Sequence, residues 1–452
     1  METTRHNSQR LMVYVPRLTN RLGYTLNVLL HHVLGMEYDI TTDEALFQHT
    51  DSPKLCYAER RVGEAVWIKS SSFMFETRIA EQQLTTVDYA GGRAPFAVYG
   101  RDIDFPFDML SAAFYLLSRY EEYLPHRVDV HGRFRPEECW AMREGVLEVP
   151  VVNVWARTLA EVLQQRYDTL VVGKPEFSFE CTIDIDAAYC YRNKGVLRGL
   201  IGFAKDIAEQ HSVEDARRRW RTLRGKEPDP FDTFDYILSS CRSHGVDNLL
   251  FFPLMGNYGL YDKSISYLDE DFRQLLQHLS DYARLGIHSS YASADDGSLI
   301  PIEKERLSRT IHHTVRRNRC HFLRMRMPTT YRALLGYGID NDYTMGYATA
   351  IGFRAGLATP YPFYDLGNDY ETTLMIHPFA MMDTTLKKYM QLSPAEALEQ
   401  VGTMMDRTAA VGGTFSAIFH NENLSEHFGW QGWRTFFEGV LDRAYGIKKT
   451  EH

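Results

Sequence analysis

The sequence predicts an α/β protein: a (β/α) barrel of about seven parallel strands over residues 176–452, preceded by a smaller α/β domain over residues 1–170. Three observations carry this expectation. The chain has 452 residues, and at roughly 100–200 residues per domain that is one large unit plus a smaller one. From Phe177 onward, short apolar runs alternate with stretches of helical period, as in βαβ units. Several of those runs end in aspartate or histidine, where α/β barrels carry their functional groups.

In the first unit, Leu11 to Val15 (LMVYV) reads as a strand, and Leu22 to Leu34 as an apolar helix stopped by Gly35. Val66 to Lys69 is a short strand. Phe107 to Leu124 carries apolar residues at helical spacing with charges near its end, and Val151 to Arg166 is another helix. Nothing in this unit has catalytic spacing.

In the second unit, Phe177 to Ile185 (FSFECTIDI) alternates as a strand and ends in acidic residues. There follow a helix (Phe234 to His244), a buried strand (Leu249 to Leu254), a helix (Phe272 to Tyr282) and a strand end at Gly286-Ile287-His288. Next come a helix (Glu303 to Val315), a strand (His321 to Met325) and a short helix (Pro328 to Leu335). Further strands are expected at Ala348 to Phe353, Thr373 to Ile376 and Thr414 to Phe419. Between the first two strands, residues 192–230 form a basic helical insertion that includes Arg217-Arg218-Arg219. It is either a solvated insertion or a cover that attracts an anionic substrate such as a phosphate-bearing sugar.

Composition narrows the class. Hydrophobic residues are 44% and charged residues 24%, ordinary for a globular chain that buries its core without disulfides. Lys plus Arg is 50 against 59 for Asp plus Glu, a net charge of −9 that weighs against a general nucleic-acid binder. The six cysteines form no C-x-x-C pair, which argues against a thiolate zinc site and for reduced, buried thiols. The amino terminus is polar without an apolar h-region, and no run of about 18 apolar residues exists. No secretory signal or membrane span is expected, and the expected location is cytoplasmic.

Five segments could carry chemistry. Thr182-Ile183-Asp184-Ile185-Asp186 ends a strand in D-x-D, and the two-residue period puts both carboxylates on one face. Burying two carboxylates together is costly unless a metal or another cation sits between them. A second reading is a solvated strand end that caps the next helix. His288, in Gly286-Ile287-His288-Ser289-Ser290-Tyr291, follows a buried strand, as a metal ligand or a structural histidine would. Arg319-Cys320-His321-Phe322-Leu323-Arg324 sets a histidine between two cations, which favour the neutral imidazole that binds metal, although the segment also suits anion binding or packing. Phe415 to Asn421 is an apolar strand ending in His420. Gly352-Phe353-Arg354-Ala355-Gly356 flanks an arginine with small residues that allow close approach.

The order of these segments resembles that of the motifs in the polysaccharide deacetylase (chitooligosaccharide deacetylase-like) family. PFDMLSAAFYLLSRYEEYLP, TIDIDAAY, DPFDTFDY, DYTMGYATAIGFRAG and FHNENL resemble a bacterial subgroup with an extra amino-terminal domain of unknown function, so the likeness covers nearly the full length. The resemblance implies a metal-dependent hydrolase that removes an N-acetyl group from an amino sugar or glycan in cell-surface polysaccharide metabolism. It implies Asp184 as general base, Asp186 and His288 as ligands of a divalent metal, zinc given the mixed donors, and His420 as general acid. The family's second motif is H-S-x-x-H. Here His288 and Ser289 match, but Ala292 stands in place of the second histidine, and His321 at the next strand end is the replacement. The base-orienting arginine is Arg319 by order or Arg354 by local sequence, Tyr291 is grouped with these as a substrate-contacting residue, and His377 is a lesser competitor for the acid. Two rival readings remain: a non-catalytic glycan-binding or scaffold protein on the same fold, or a hydrolase of another C–N bond.

Overall fold

The computed structural model describes residues 10–174, 176–193 and 213–451. Four strands, β1 (Leu11–Tyr14), β2 (Tyr38–Thr41), β3 (Lys54–Ala58) and β4 (Val66–Lys69), form a parallel sheet in the order β2-β1-β3-β4. The helix after β1 is capped by Thr19, whose hydroxyl accepts from the Leu22 amide, and runs from Asn20 to Leu26. It continues as a wider π-helical stretch, Asn27–Val33, and Gly35 follows with φ +60°. A hairpin, β5 (Thr86–Tyr89) and β6 (Gly92–Pro95), comes next. The helix expected over Phe107–Leu124 is shorter than its periodicity suggested. It spans Met109–Leu117, capped by Asp108, and breaks at Arg119, which is left-handed (φ 53°) ahead of a 3-10 turn at Tyr120–Tyr123. The break carries the Arg119 guanidinium into the interior, where it pairs with Glu122 at 2.8 Å. The helix Val151–Arg166 has the bounds that its sequence pattern set.

The remaining strands are mainly parallel and lie in two five-stranded sheets. One has the order β15 (Met381–Met382), β16 (Thr414–His420), β7 (Ser178–Ile185), β8 (Leu249–Pro253), β9 (Arg284–Leu285). The other has the order β10 (Ile287–Ser289), β11 (Arg317–Cys320), β12 (Asn341–Asp342), β14 (Tyr370–Ile376), β13 (Tyr361–Asp365), with β13 antiparallel to β14. A parallel bridge between Leu254 and His288 joins the sheets on one side. On the other, residues 370–382 place β14 in one sheet and β15 in the other. The described residues form no closed ring of strand pairs: where one barrel of about seven strands was expected, the strands lie in these two sheets.

Two expected strands are absent. His321–Met325 lies past the end of β11: Phe322 and Leu323 are left-handed (φ 59° and 54°), and the chain turns away from the sheet. Ala348–Phe353 is a loop. Gly352 has φ +130°, and a Cβ there would meet the Leu147 carbonyl oxygen at 2.5 Å. Gly356 (φ +65°) sits against Leu116 in the same way, at 2.9 Å. These two glycines therefore let the loop close onto the amino-terminal segment rather than onto a ligand. The helix expected from Phe272 starts two residues earlier, at Glu270 behind the Asp269 cap, and the one expected from Glu303 starts a turn earlier, at Leu299. Two long helices had no counterpart in the sequence reading: Pro394–Ala410, opened by a Ser393/Glu396 capping box, and Trp433–Glu451.

Arg217 to Arg219 lie on a helix, Val213–Leu223, where Arg218 pairs with Asp215 and Arg221 with Glu214 and Glu227. Residues 194–212 of the expected insertion lie outside the described residues. One continuous apolar core runs through both halves of the chain. None of the six cysteines forms a disulfide among the described residues. Among the described residues, no helix is long and apolar enough to cross a membrane.

Candidate metal centre and active site

Strand β7 is buried along its length, and its alternation sends Thr182 and Asp184 to the same side. Arg319, fully buried on β11, reaches both from one nitrogen: Nη1 donates to Thr182 Oγ1 at 2.8 Å and to Asp184 Oδ1 at 2.7 Å. Its Nε donates to the Tyr343 carbonyl at 3.1 Å, and its guanidinium stacks over Phe252. Asp184 thus has one oxygen fixed by a cation and the other, Oδ2, 3.6 Å from His288 Nε2.

Two histidines converge on Asp186, just past the strand. His288 Nδ1 donates to the Arg319 carbonyl at 2.9 Å, and this bond fixes the tautomer with Nε2 free. His288 Nε2 lies 3.3 Å from Asp186 Oδ1. His321 Nδ1 donates to Asp262 Oδ1 at 2.8 Å, and its Nε2 lies 3.3 Å from Asp186 Oδ2. One donor atom from each of Asp186, His288 and His321 falls within 4.8 Å of the others. Asp186 Oδ1 is buried without a hydrogen-bond partner. A buried carboxylate oxygen left unsatisfied beside two imidazole nitrogens is an arrangement that a divalent cation completes, so the donor set fits a metal.

Electrostatics agrees. Burial opposes charge on Asp186, yet the His321 and His288 imidazoles hold it well below the usual carboxylate range. Burial likewise opposes charging of His321, but Asp186 and Asp262 push it up to about 10.

The last strand, β16, lies beside β7 with His420 in register with Asp184. His420 Nδ1 contacts Asp383 Oδ1 at 2.7 Å, and its backbone amide donates to Asp383 Oδ2 at 2.8 Å. Asn423 also donates to that carboxylate, at 3.0 Å. Burial disfavours the imidazolium, but Asp383 holds His420 up to about 10. Asp184, Asp186, His288, His321 and His420 together line one cavity of about 200 Å³, with Glu422 and Arg133 on its wall. Burial, then the nearby Asp186, pushes Glu422 up to about 7, and its Oε2 has no hydrogen-bond partner.

Of the two arginine candidates, Arg319 touches Asp184 and Arg354 does not. Arg354 is buried against the amino-terminal segment, donating to Glu122 from Nη2 at 2.7 Å and from Nε at 3.0 Å, and to the Gly346 carbonyl at 3.0 Å. Tyr291 is outside the cavity: its hydroxyl meets His131 Nδ1 at 3.2 Å, and Arg324 lies over its ring. His377 is stacked on Tyr343, bonded to Asn341 and lowered to about 3 by burial and then by Arg284 and Arg317, away from the cavity. At Ala292, where the family has its second histidine, the chain offers a backbone amide to Asp262 Oδ2 at 3.3 Å.

Sequence reasoning missed Asp262, Asp383, Glu422 and Arg133. Asp383 did carry a signal, because an aspartate follows a short apolar run there, as in β7. Asp262 lies in a loop without a motif, and Arg133 lies in the segment judged to have no catalytic spacing.

Residues 11–168 match a protein family described only as a family of unknown function (DUF7033). None of the curated proteins matches the chain. Among solved structures, it is similar to a "putative polysaccharide deacetylase" from Mycobacterium smegmatis at 14% identity and a TM-score of 0.37, covering 62% of this chain and 94% of that one. A 4-alpha-glucanotransferase from Thermococcus litoralis is similar at 13% identity and a TM-score of 0.34, covering 60% of this chain and 38% of that one.

Proposed function

We propose that this protein is a metal-dependent carbohydrate N-deacetylase, with residues 176–452 forming a deacetylase-type barrel and residues 1–170 an amino-terminal α/β domain packed on the same core. The observation that carries the reading is the meeting of Asp184 and His420, in register on adjacent strands, beside Asp186, His288 and His321 in a single cavity. Asp186, His288 and His321 would hold a divalent ion. Their mixed carboxylate and imidazole donors suit zinc, which when bound supplies Lewis acidity toward an acetamide carbonyl.

The other groups divide the proton transfers. Asp184 is fixed on one oxygen by Arg319, so its second oxygen is placed to take a proton from an attacking water. His420 is held at Nδ1 by Asp383, which leaves Nε2 to hand a proton to the departing amine. Arg319 orients Asp184, and Asp383 orients His420 and favours its protonated form. The products are acetate and a free amino sugar. The test is acetate release from a panel of N-acetylated sugars by the wild type and by Asp184→Asn. The wild type should turn over at least one sugar, and the variant should be slower by roughly 10²–10⁴-fold. A wild type that releases acetate from none of them overturns the reading.

A further inference from the structure

The inner cavity, at about 200 Å³, is smaller than the roughly 300–1,000 Å³ of typical small-molecule sites. It has room for the reacting group and little else. A second cavity of about 450 Å³ adjoins it and shares four of its walls: Arg133, Leu323, Ala348 and Tyr389. One side of this outer cavity is the amino-terminal stretch Val128–Glu137, and the other is the Gly346–Arg354 loop together with Tyr389.

We infer that the outer cavity is a subsite for the neutral sugar units flanking the one that reacts, and that the amino-terminal segment builds it and thereby sets substrate length. This rests on the reading of the inner cavity as a sugar deacetylase site. The chemistry of the lining favours a neutral ligand. Each cation in it faces a carboxylate: Arg133 with Asp129 at 2.7 Å, Arg135 with Glu137 at 3.4 Å, and Arg354 with Glu122 at 2.7 Å, a carboxylate that it shares with Arg119. Such pairs offer donors and acceptors to hydroxyl groups, and little net field to a phosphate or carboxylate. The rim is apolar and exposed. Tyr389 is 47% exposed at the junction of the two cavities, and Val130 is 93% exposed at the outer lip. Such side chains suit the C–H faces of pyranose rings. Arg133 lines both cavities, and its Nη1 donates to the carbonyl of Phe322, at 2.9 Å, next to His321.

The experiment is calorimetric titration of full-length Asp184→Asn protein, which binds without turnover, with chito-oligosaccharides of one to five units. Affinity should rise about tenfold or more, roughly 1.4 kcal/mol, as units are added beyond the first, with little dependence on salt. Tyr389→Ala combined with Val130→Glu should lower affinity for the pentamer by about tenfold. Affinity that does not change with length, or that these substitutions leave intact, overturns the subsite, and a steep salt dependence overturns its neutral character. Acetate release by the wild type separates the two readings. Turnover with length-independent binding leaves the deacetylase and removes the subsite, whereas length-dependent binding without turnover removes the deacetylase and leaves an oligosaccharide-binding cavity with no reacting unit to flank. Absence of binding at every length removes the subsite.

Discussion

Asp262 aims His321. Its Oδ1 accepts from His321 Nδ1 at 2.8 Å, which points the opposite nitrogen at Asp186. The same carboxylate accepts from the backbone amides of Tyr291 and Ala292. The carboxylate therefore ties the Tyr291–Ala292 backbone to His321. Carboxylates behind a ligating imidazole typically govern metal affinity by about 10–100-fold. Asp262→Ala should weaken zinc binding by that much in competition with a chelator, with the protein still folded by circular dichroism. An unchanged affinity contradicts this role.

His288→Ala should remove stoichiometric metal from the purified protein, because one of three donors is lost and Asp186 keeps only one imidazole partner. Elemental analysis of the folded variant checks this. Full metal content would show that His288 is not a ligand.

His420 is raised from 6.5 to about 10, against the opposition of burial, chiefly by Asp383. A histidine raised on folding stabilises fully below its unfolded value near 6.5, and that contribution is lost as pH climbs through about 10. Asp383→Asn should therefore lower stability most at neutral and acidic pH and least above about 10. It should also move the basic limb of the pH–rate profile to lower pH. Urea midpoints and initial rates measured across that range test both, and an unmoved basic limb would detach Asp383 from the mechanism.

Much of this site was legible in the sequence because several of its residues lie at the ends of strands. Asp184, His288 and His420 each follow an apolar run, and burial of such runs fixes where the next polar residue emerges. His321 meets His288 at Asp186, although the local pattern that pointed to it was misread. It does not sit in a strand: it begins a left-handed turn that only the Arg133 and Asp262 contacts explain. Such contacts span up to 189 positions of sequence, and no local period encodes them. Arg354 misled for the opposite reason, since small flanking residues signal close approach without saying of what. Its neighbour is the amino-terminal segment.

Glu122 sits between two buried guanidiniums, accepting from Arg119 Nε at 2.8 Å and from Arg354 Nη2 at 2.7 Å. Glu122→Ala leaves both cations buried without that carboxylate. A loss of about 3–5 kcal/mol in urea unfolding is expected, with kcat per folded molecule on an N-acetylated monosaccharide retained. A stable variant with depressed kcat would instead link this joint to the chemistry.

The most direct test of the central claim is acetate release measured alongside bound metal, before and after chelation. The account predicts one divalent ion per chain, loss of acetate release when it is stripped, and recovery on adding zinc back, with Asp184→Asn retaining the ion but not the rate. Acetate release that survives complete removal of metal would contradict it, as would a pure, folded protein that takes up no divalent ion.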